Sequence, residues 1–478
     1  MNQLIDVVKS KLYGLIVKYK GLYKMLASIH DYYSNLEYRC SLRYRNILKQ
    51  RIKHVKKIVN TYVKLERKPR ENIVIVVIDC LRYRNMSFTS YERKTTPFLD
   101  SFKVKLKSIS VSPHTYSSVP SILSGMYPHN HGAVIAGVVK NFDNLRNFKL
   151  VKNSVITLPE ILSALGYDIY FIISIYPLFL PLRNRVIPTI IHGNAEKLLD
   201  KAFESIMKSV KSGRSFFVYI HLGDLHEPLD PPKKFRNFFG YVKSLPEIER
   251  WAYRRPEEQK GEGFEEYKYN RILLYDNTLR YVDYALEQFY SKLEDKGLTD
   301  STLFIVTADH GEEFWEHAEI EAKFFYDPRG FYGVGHGHNL FNEIIEVPIL
   351  ISGPDTSRIH RAVGIDRLVS TVDIVPTILD WLGLEHRFKL DGYSLLDDVP
   401  KDRYILSEAV GYGYEKKALI KGKYKLLYAG HDGVRWVFDL ESDPYERKPI
   451  LKEDIALSLI KELKKILAKD LAYSIRIT

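Results

Sequence analysis

Cysteine is nearly absent: Cys40 and Cys80 are the only two among 478 residues. Two thiols cannot build a disulfide framework, so the fold must be held by its core. No apolar run approaches the roughly 18–20 residues a membrane-spanning helix needs. The first residues lack a secretory pattern, because Lys9, Lys11, Lys18 and Lys20 interrupt every apolar stretch there. The expected location is therefore the cytoplasm. Glutamine and methionine are scarce, with four and five residues, while Lys, Arg, Glu, Ile and Tyr are plentiful. That bias is seen in proteins of thermophiles. Proline is missing from residues 1–66, so nothing there interrupts a helix.

Acidic residues are also scarce at one end. Residues 1–70 hold 17 Lys/Arg against 4 Asp/Glu, whereas the whole chain is only +12. The basic character belongs to this extension, and residues 71–478 are nearly neutral. Apolar residues recur there at helical spacing, as in Leu4, Val7, Val8, Leu12, Leu15 and Ile16. Two or three basic helices are expected. Such helices can cover the main domain or a second subunit, lie on an anionic membrane surface, or touch nucleic acid. The first is favoured, the second would make the protein peripheral to the membrane, and no reading-head motif supports the third.

With 45% hydrophobic and 27% charged residues, the remainder reads as a large globular fold. Strand-like runs at Ile73–Ile78, Ser215–Leu222, Thr302–Thr307 and Val347–Ser352 alternate with helical patterns such as Leu158–Leu165 and Tyr275–Leu293. The alternation predicts an α/β fold, a mostly parallel central sheet flanked by helices. Three parts are expected: a basic helical extension (1–70), the α/β catalytic domain (71–400), and a smaller C-terminal α+β subdomain of short strands and a terminal helix (401–478). The charged, aromatic stretch Ser244–Arg271 looks like a helical insertion near the mouth of a site.

Two of the apolar runs end in acid. Asp79 follows Ile73–Ile78, and Asp309-His310 follows Leu303–Thr307. Ligand sites in open α/β sheets lie beyond the carboxyl ends of strands. Two carboxylates and an imidazole at such ends suit a divalent cation. Alternatively, each Asp caps the helix that follows its strand.

Four segments line up in order. The first runs from Asn72 through Ile73-Val74-Ile75-Val76-Val77-Ile78 to Asp79-Cys80-Leu81-Arg82. The second is Thr115-Tyr116-Ser117-Ser118-Val119-Pro120-Ser121-Ile122-Leu123-Ser124-Gly125-Met126-Tyr127-Pro128. The third is His221-Leu222-Gly223-Asp224-Leu225-His226-Glu227-Pro228. The fourth is Thr307-Ala308-Asp309-His310-Gly311-Glu312, with Gly335-His336-Gly337-His338 behind it. In this order they resemble the sulfatase-like branch of the alkaline phosphatase superfamily, from about Asn72 to about Pro449. True sulfatases carry Cys or Ser in a Cys/Ser-x-Pro-x-Arg pattern, and that residue becomes formylglycine. Here the matching position is Thr115, with Ser117 and Val119 in place of Pro and Arg. Threonine cannot give the aldehyde. It looks like the nucleophile of the phosphodiesterase and phosphotransferase members.

The resemblance implies a metal-dependent hydrolase or transferase of phosphate esters, diesters first, with Thr115 as nucleophile. Asp79, Asp309, His310 and Thr115 would hold a divalent metal (zinc, manganese or calcium). His336 could ligate a second ion with Asp224 and His226 nearby, or His226 and His336 could contact the transferred group and protonate the leaving oxygen. His338 carries less of the match, and His129 and His131 read as structural. Glu312 and Glu313 read as partners of His310 or as a solvated helix start. The stretch Glu316–Glu321 with His317 reads as exposed. Arg82, Arg84 and Arg93 lie near Asp79 in sequence and could aid the anion. The expected substrate is a small-molecule, lipid-linked or glycan-linked phosphate or sulfate ester. A sulfuric ester hydrolase and a non-catalytic membrane-associated scaffold are the alternatives. Specific nucleic-acid binding is not expected, and an oligomer is open.

Overall fold

The computed structural model describes residues 42–64, 69–140, 147–174, 177–243, 252–362 and 367–475. The central sheet has seven strands: β1 (Asn72–Ile78), β2 (Val104–Ile109), β3 (Asp168–Ile173), β4 (Thr189–Ile190), β5 (Phe216–Leu222), β6 (Thr302–Thr307) and β7 (Glu346–Ser352). Their order across the sheet is β2-β7-β6-β1-β5-β3-β4. The run from β6 to β4 is parallel, while β7 lies antiparallel to both β2 and β6. The sheet is thus mostly parallel with one reversed strand.

Strands β1, β5 and β6 are buried along their whole length, which is why they read as unbroken apolar runs. Alternate residues serve opposite faces. Val74, Val76 and Ile78 pack with helices Ala195–Lys211 and Gly261–Glu294. Ile73, Ile75 and Val77 pack with helices Thr115–Ser124, Leu158–Ala164 and Ile374–Trp381. The register places Val77 level with His221 and with Thr307. The ends of three adjacent strands therefore coincide, and whatever follows them is gathered at one edge of the fold.

The extension is described from residue 42. Helix Leu42–Tyr62 lays Val55 and Val59 into the core, and Arg51 Nε donates to Glu160 Oε1 at 2.7 Å. This part of the extension covers the sheet domain. The expected helices of residues 1–41 lie outside the described residues. Among the described residues, no helix is long and apolar enough to cross a membrane.

Strands Tyr404–Ser407, Lys417–Lys421, Tyr424–Ala429 and Val434–Asp439 form an antiparallel sheet. Helix Glu453–Ile475 covers one face through Leu459, Leu463 and Ile466. Ile405, Ile420 and Phe438 on the other face meet Phe341, Ile344 and Ile345 of the main body. Of the aromatic stretch at 244–271, residues 244–251 lie outside the described residues. Its end is helical from Gly261.

The stretch Glu316–Glu321, expected to be exposed, is exposed at Glu316 and Glu319 but not throughout. Glu313, His317 and Glu321 are buried. His317 Nδ1 meets Glu343 Oε1 at 2.5 Å, and His338 Nε2 lies 3.2 Å from Glu321 Oε2. These charges are inside because partners far along the chain neutralise them. His338 belongs to this network. His129 pairs with Glu408, and His131 bonds Ser121 of helix Thr115–Ser124, so both sit in structural networks.

Candidate active site and metal centre

The strand ends bring Asp79, Asp309 and His310 together, each fully buried. Their ligand atoms lie within 4.8 Å of one another. His310 Nε2 is 3.4 Å from Asp79 Oδ1 and 3.5 Å from Asp309 Oδ2. Thr115 Oγ1 faces the same nitrogen at 3.2 Å. Thr115 is the first residue of the buried helix Thr115–Ser124, whose amino end points positive dipole into the site. That helix is pinned to the Asp309 loop. The hydroxyls of Ser110 and Ser118 both donate to the Asp309 carbonyl, at 2.5 and 2.6 Å. Gly311 N–H donates to the Ile344 carbonyl at 2.6 Å, and a Cβ at Gly311 would collide with the Glu343 carbonyl.

Two buried carboxylates side by side cannot both ionise freely. Burial resists ionisation of Asp79, yet His226, His221 and His310 pull its carboxyl well below the usual range. Burial and the neighbouring Asp79 charge push Asp309 up. Burial lowers His310, but Asp309 and Asp79 outweigh it and leave the imidazole raised. Asp309 Oδ2 is buried and makes no hydrogen bond. A buried acceptor without a donor, set beside a second carboxylate, suits a cation as its partner. The donor set of two carboxylates, an imidazole and a hydroxyl fits a divalent metal, with zinc, manganese and calcium all compatible.

His336 sits beside this group, its ring centroid 4.2 Å from that of His310. His226 meets His336 edge to face at 5.1 Å. Both proposed proton carriers are therefore at the site. His226 Nδ1 also contacts its neighbour's carbonyl, Glu227 O, at 2.8 Å.

Asp224 does not join the metal residues. Its Oδ1 accepts the Ala195 N–H at 3.1 Å, at the start of helix Ala195–Lys211, and burial raises its carboxyl to about 7. Two residues past its strand, the chain has turned towards the helix face. The arginines are also spent elsewhere. Arg82 pairs with Glu316 at 2.5 Å, Arg84 with Glu346 at 3.1 Å and Arg93 with Asp276 at 2.9 Å.

Three site residues escaped the sequence reading. His221, inside β5, places Nε2 3.3 Å from Asp79 Oδ2 and Nδ1 3.0 Å from the Tyr219 hydroxyl. A histidine in an otherwise apolar strand was the available signal. His114 precedes the nucleophile position and bonds the Ala409 carbonyl at 2.6 Å, and burial lowers its imidazole to about 3. Cys80 is fully buried, with Sγ 3.2 Å from Asp79 Oδ1. Its backbone adopts φ 61°, a left-handed conformation that costs about 1–2 kcal/mol for a residue with a Cβ. A cavity of about 520 Å³ lined by Arg70, Tyr167 and Arg214 lies at the opposite, amino end of the strands.

Comparison with known proteins bears on the fold and the family. The sulfatase family profile matches residues 71–384, and the profile for the C-terminal part of N-sulphoglucosamine sulphohydrolase matches residues 330–472. An arylsulfatase of Clostridium perfringens is 25% identical over 274 residues, 54% of each chain. The protein thus spans about half the length of that relative. Arylsulfatase K of Gallus gallus is 31% identical over 181 residues, 34% of this chain and 30% of its own. The low-salt glycan biosynthesis sulfotransferase Agl7 of Haloferax volcanii is 26% identical over 343 residues, 71% of this chain and 67% of its own. Among solved structures, a 2-O GAG sulfatase superimposes with TM-score 0.62 at 17% identity, covering 85% of this chain and 93% of that one. The phosphonate monoester hydrolase of Agrobacterium radiobacter gives TM-score 0.60 at 13% identity, covering 84% and 96%. At those identities the structural likeness establishes the fold alone. With the profile spanning well over half of the sequence and the site built on the strand tips that the fold brings together, the protein belongs to the sulfatase family.

Proposed function

We propose that the protein cleaves or transfers a singly charged tetrahedral ester, a sulfate ester of a sugar or small alcohol first, with Thr115 as the attacking group. The observation that carries this is Thr115 Oγ1 at a helix amino end, 3.2 Å from His310 Nε2 and beside the buried Asp79–Asp309 pair. Asp79, Asp309 and His310 would hold a divalent cation, which supplies positive charge that lowers the Thr115 hydroxyl pKa and balances the ester oxygens.

The residues of this chain do the rest. The helix amino end favours the anionic group on its axis. Thr115 Oγ1, its proton passing to water, forms the new bond to the central sulfur, and the bond from sulfur to the alcohol oxygen breaks. His226, half-buried beside His336, would protonate the departing oxygen. Water or an acceptor alcohol then releases the group from Thr115. The transferase-named relative supports an alcohol acceptor as readily as water.

Charge supports the substrate class. Arg82, Arg84 and Arg93 are each paired with a carboxylate, and Arg271 is paired with Glu227. With these four arginines of the described residues paired, a monoanionic ester suits the site better than a free phosphate monoester. Sulfate monoesters and phosphodiesters both carry one charge. The family favours the first. The unconverted hydroxyl nucleophile favours the second, which is kept as the alternative reading.

Turnover of nitrophenyl sulfate, bis-nitrophenyl phosphate and nitrophenyl phosphate, each with zinc, manganese and calcium, separates these readings. Sulfate turnover lost in Thr115→Ala supports the first, and diester turnover lost in the same variant supports the second. Turnover unchanged by Thr115→Ala removes both. Glycan-linked substrates, a peripheral membrane location through residues 1–66, and the three-part domain division are part of the same proposal.

A further inference from the structure

The residue before Thr115 is a histidine in a capping position that does not cap. His114 stands at the N-cap of helix Thr115–Ser124, with extended backbone at φ −154° and ψ 154°. A short polar side chain there accepts a hydrogen bond from a first-turn N–H, because a helix cannot satisfy those groups internally. The His114 side chain makes no such bond. Its Nε2 lies instead 2.6 Å from the Ala409 carbonyl, in the C-terminal subdomain. A carbonyl only accepts, so Nε2 carries the hydrogen and donates it.

Ala409 lies just past strand Tyr404–Ser407, and its surroundings fix it from several sides. Glu408 N–H donates to the Val111 carbonyl at 2.9 Å, and Ala409 N–H donates to Glu415 Oε1 at 2.8 Å. Gly411 and Tyr412 N–H both donate to the Gly337 carbonyl, at 2.7 and 3.0 Å, one residue past His336. Ala409 itself adopts φ 61°, a conformation that a residue with a Cβ rarely takes and that persists only where the surroundings impose it. The packing is close: a Cβ on Gly411 would come 3.3 Å from His114 Cδ2. The carbonyl that holds His114 is thus a fixed point, and the C-terminal sheet reaches the active site through it.

We propose that His114 is a positioning residue: tied to the Ala409 carbonyl, it anchors the start of the Thr115 helix and keeps its own side chain off the helix end, leaving the first-turn N–H groups to the oxygens of the anionic ester. The C-terminal subdomain thereby sets how firmly the ester is held. A side chain that capped this helix would stabilise the fold and compete with the ester for the same donors, so a local contact is given up in favour of binding. This rests on the reading that the ester meets this helix end, but the two can fail separately.

The test compares His114→Gln, His114→Ala and His114→Ser in the full chain, saturated with whichever of zinc, manganese and calcium supports most turnover. Glutamine offers an amide N–H in place of Nε2, alanine removes the tether without adding a cap, and serine removes the tether and adds a cap. The readouts are inorganic sulfate affinity by calorimetry, kcat and KM for the best nitrophenyl ester, and unfolding temperature. Alanine should lower kcat/KM by about 2–13-fold, the scale of one hydrogen bond, and glutamine should recover most of it. Serine should unfold at a higher temperature than alanine, yet bind sulfate about 2–30-fold more weakly and raise KM more than it lowers kcat, the scale of one capping contact. Serine binding sulfate as well as alanine does, or better, is what a merely structural histidine predicts, and it overturns the proposal while leaving the Thr115 reading intact. A wild type that neither binds sulfate nor turns over any ester overturns both. Crystals of the metal-loaded wild type soaked in sulfate need no variant: a sulfate oxygen on the first-turn N–H groups is expected, with His114 still on Ala409. A His114 ring nitrogen on those N–H groups, or sulfate bound elsewhere in the site, overturns the proposal.

Discussion

Replacing His221 by glutamine tests whether the strand interior tunes the site. His221 is buried in β5, and its Nε2 lies 3.3 Å from Asp79 Oδ2 while Tyr219 fixes the other ring nitrogen. A hydrogen bond to a buried charged group contributes about 1.5–3 kcal/mol. If that contribution orients Asp79 for a cation, its loss weakens metal affinity by about 10–150-fold. Outer partners of metal ligands generally cost about 10–100-fold, so the two scales agree. The assay is zinc or manganese affinity by competition with a chromophoric chelator, for wild type and His221→Gln. Thermal unfolding of the metal-free proteins serves as the control for packing. An affinity within twofold of wild type, in a variant that folds normally, would refute the positioning role.

Other expectations follow from single contacts. Thr115→Ala should reduce turnover of the best ester by about a thousandfold or more, while Thr115→Ser keeps a measurable fraction; kinetics under saturating metal checks this. His317 is buried against Glu343, which raises its imidazole to about 10 despite the opposing effect of burial. A histidine with a raised folded pKa lends stability that is complete below about pH 6.5 and is lost as pH rises towards 10. Urea midpoints should therefore fall between about pH 7 and 10, by at most about 5 kcal/mol in free energy. The fall should be much smaller in His317→Gln, and equal slopes would count against the pairing. Arg403 forks onto Asp373 at 2.8 and 3.0 Å with both groups buried. Arg403→Met should destabilise by about 3–5 kcal/mol, measured by denaturant unfolding, because it strands a buried carboxylate. For the basic extension, co-sedimentation with anionic and neutral vesicles should show binding only to the anionic ones, and only with residues 1–66 present.

Much of the site could be read directly from the chain. Asp79 and Asp309 stand out because strands buried on both faces must be apolar, so the first polar residue after each run marks a sheet edge. Thr115 could be located only through the family's segment order. Other features depend on contacts that no local pattern reveals. The reversal of β7 is set by pairing with Val104–Ile109, far away in sequence. Asp224 has the same strand-tip signature as Asp79, yet it turns to Ala195 and a helix. His317 and Glu321 read as exposed from the sequence because the run around them is charged. They are inside because their counter-charges come from elsewhere in the fold. Cys80 sits next to the first predicted ligand, but a lone cysteine gives no sign of its partners until Glu312 and His336 are seen around it.

The central claim is that the tips of β1 and β6 hold a cation beside the Thr115 hydroxyl. Anomalous diffraction from crystals of manganese- or zinc-loaded protein tests it most directly. The account predicts a peak enclosed by the carboxylates of Asp79 and Asp309 and the imidazole of His310, with Thr115 Oγ1 alongside. Full metal loading with a peak elsewhere, and none among those four residues, would contradict it.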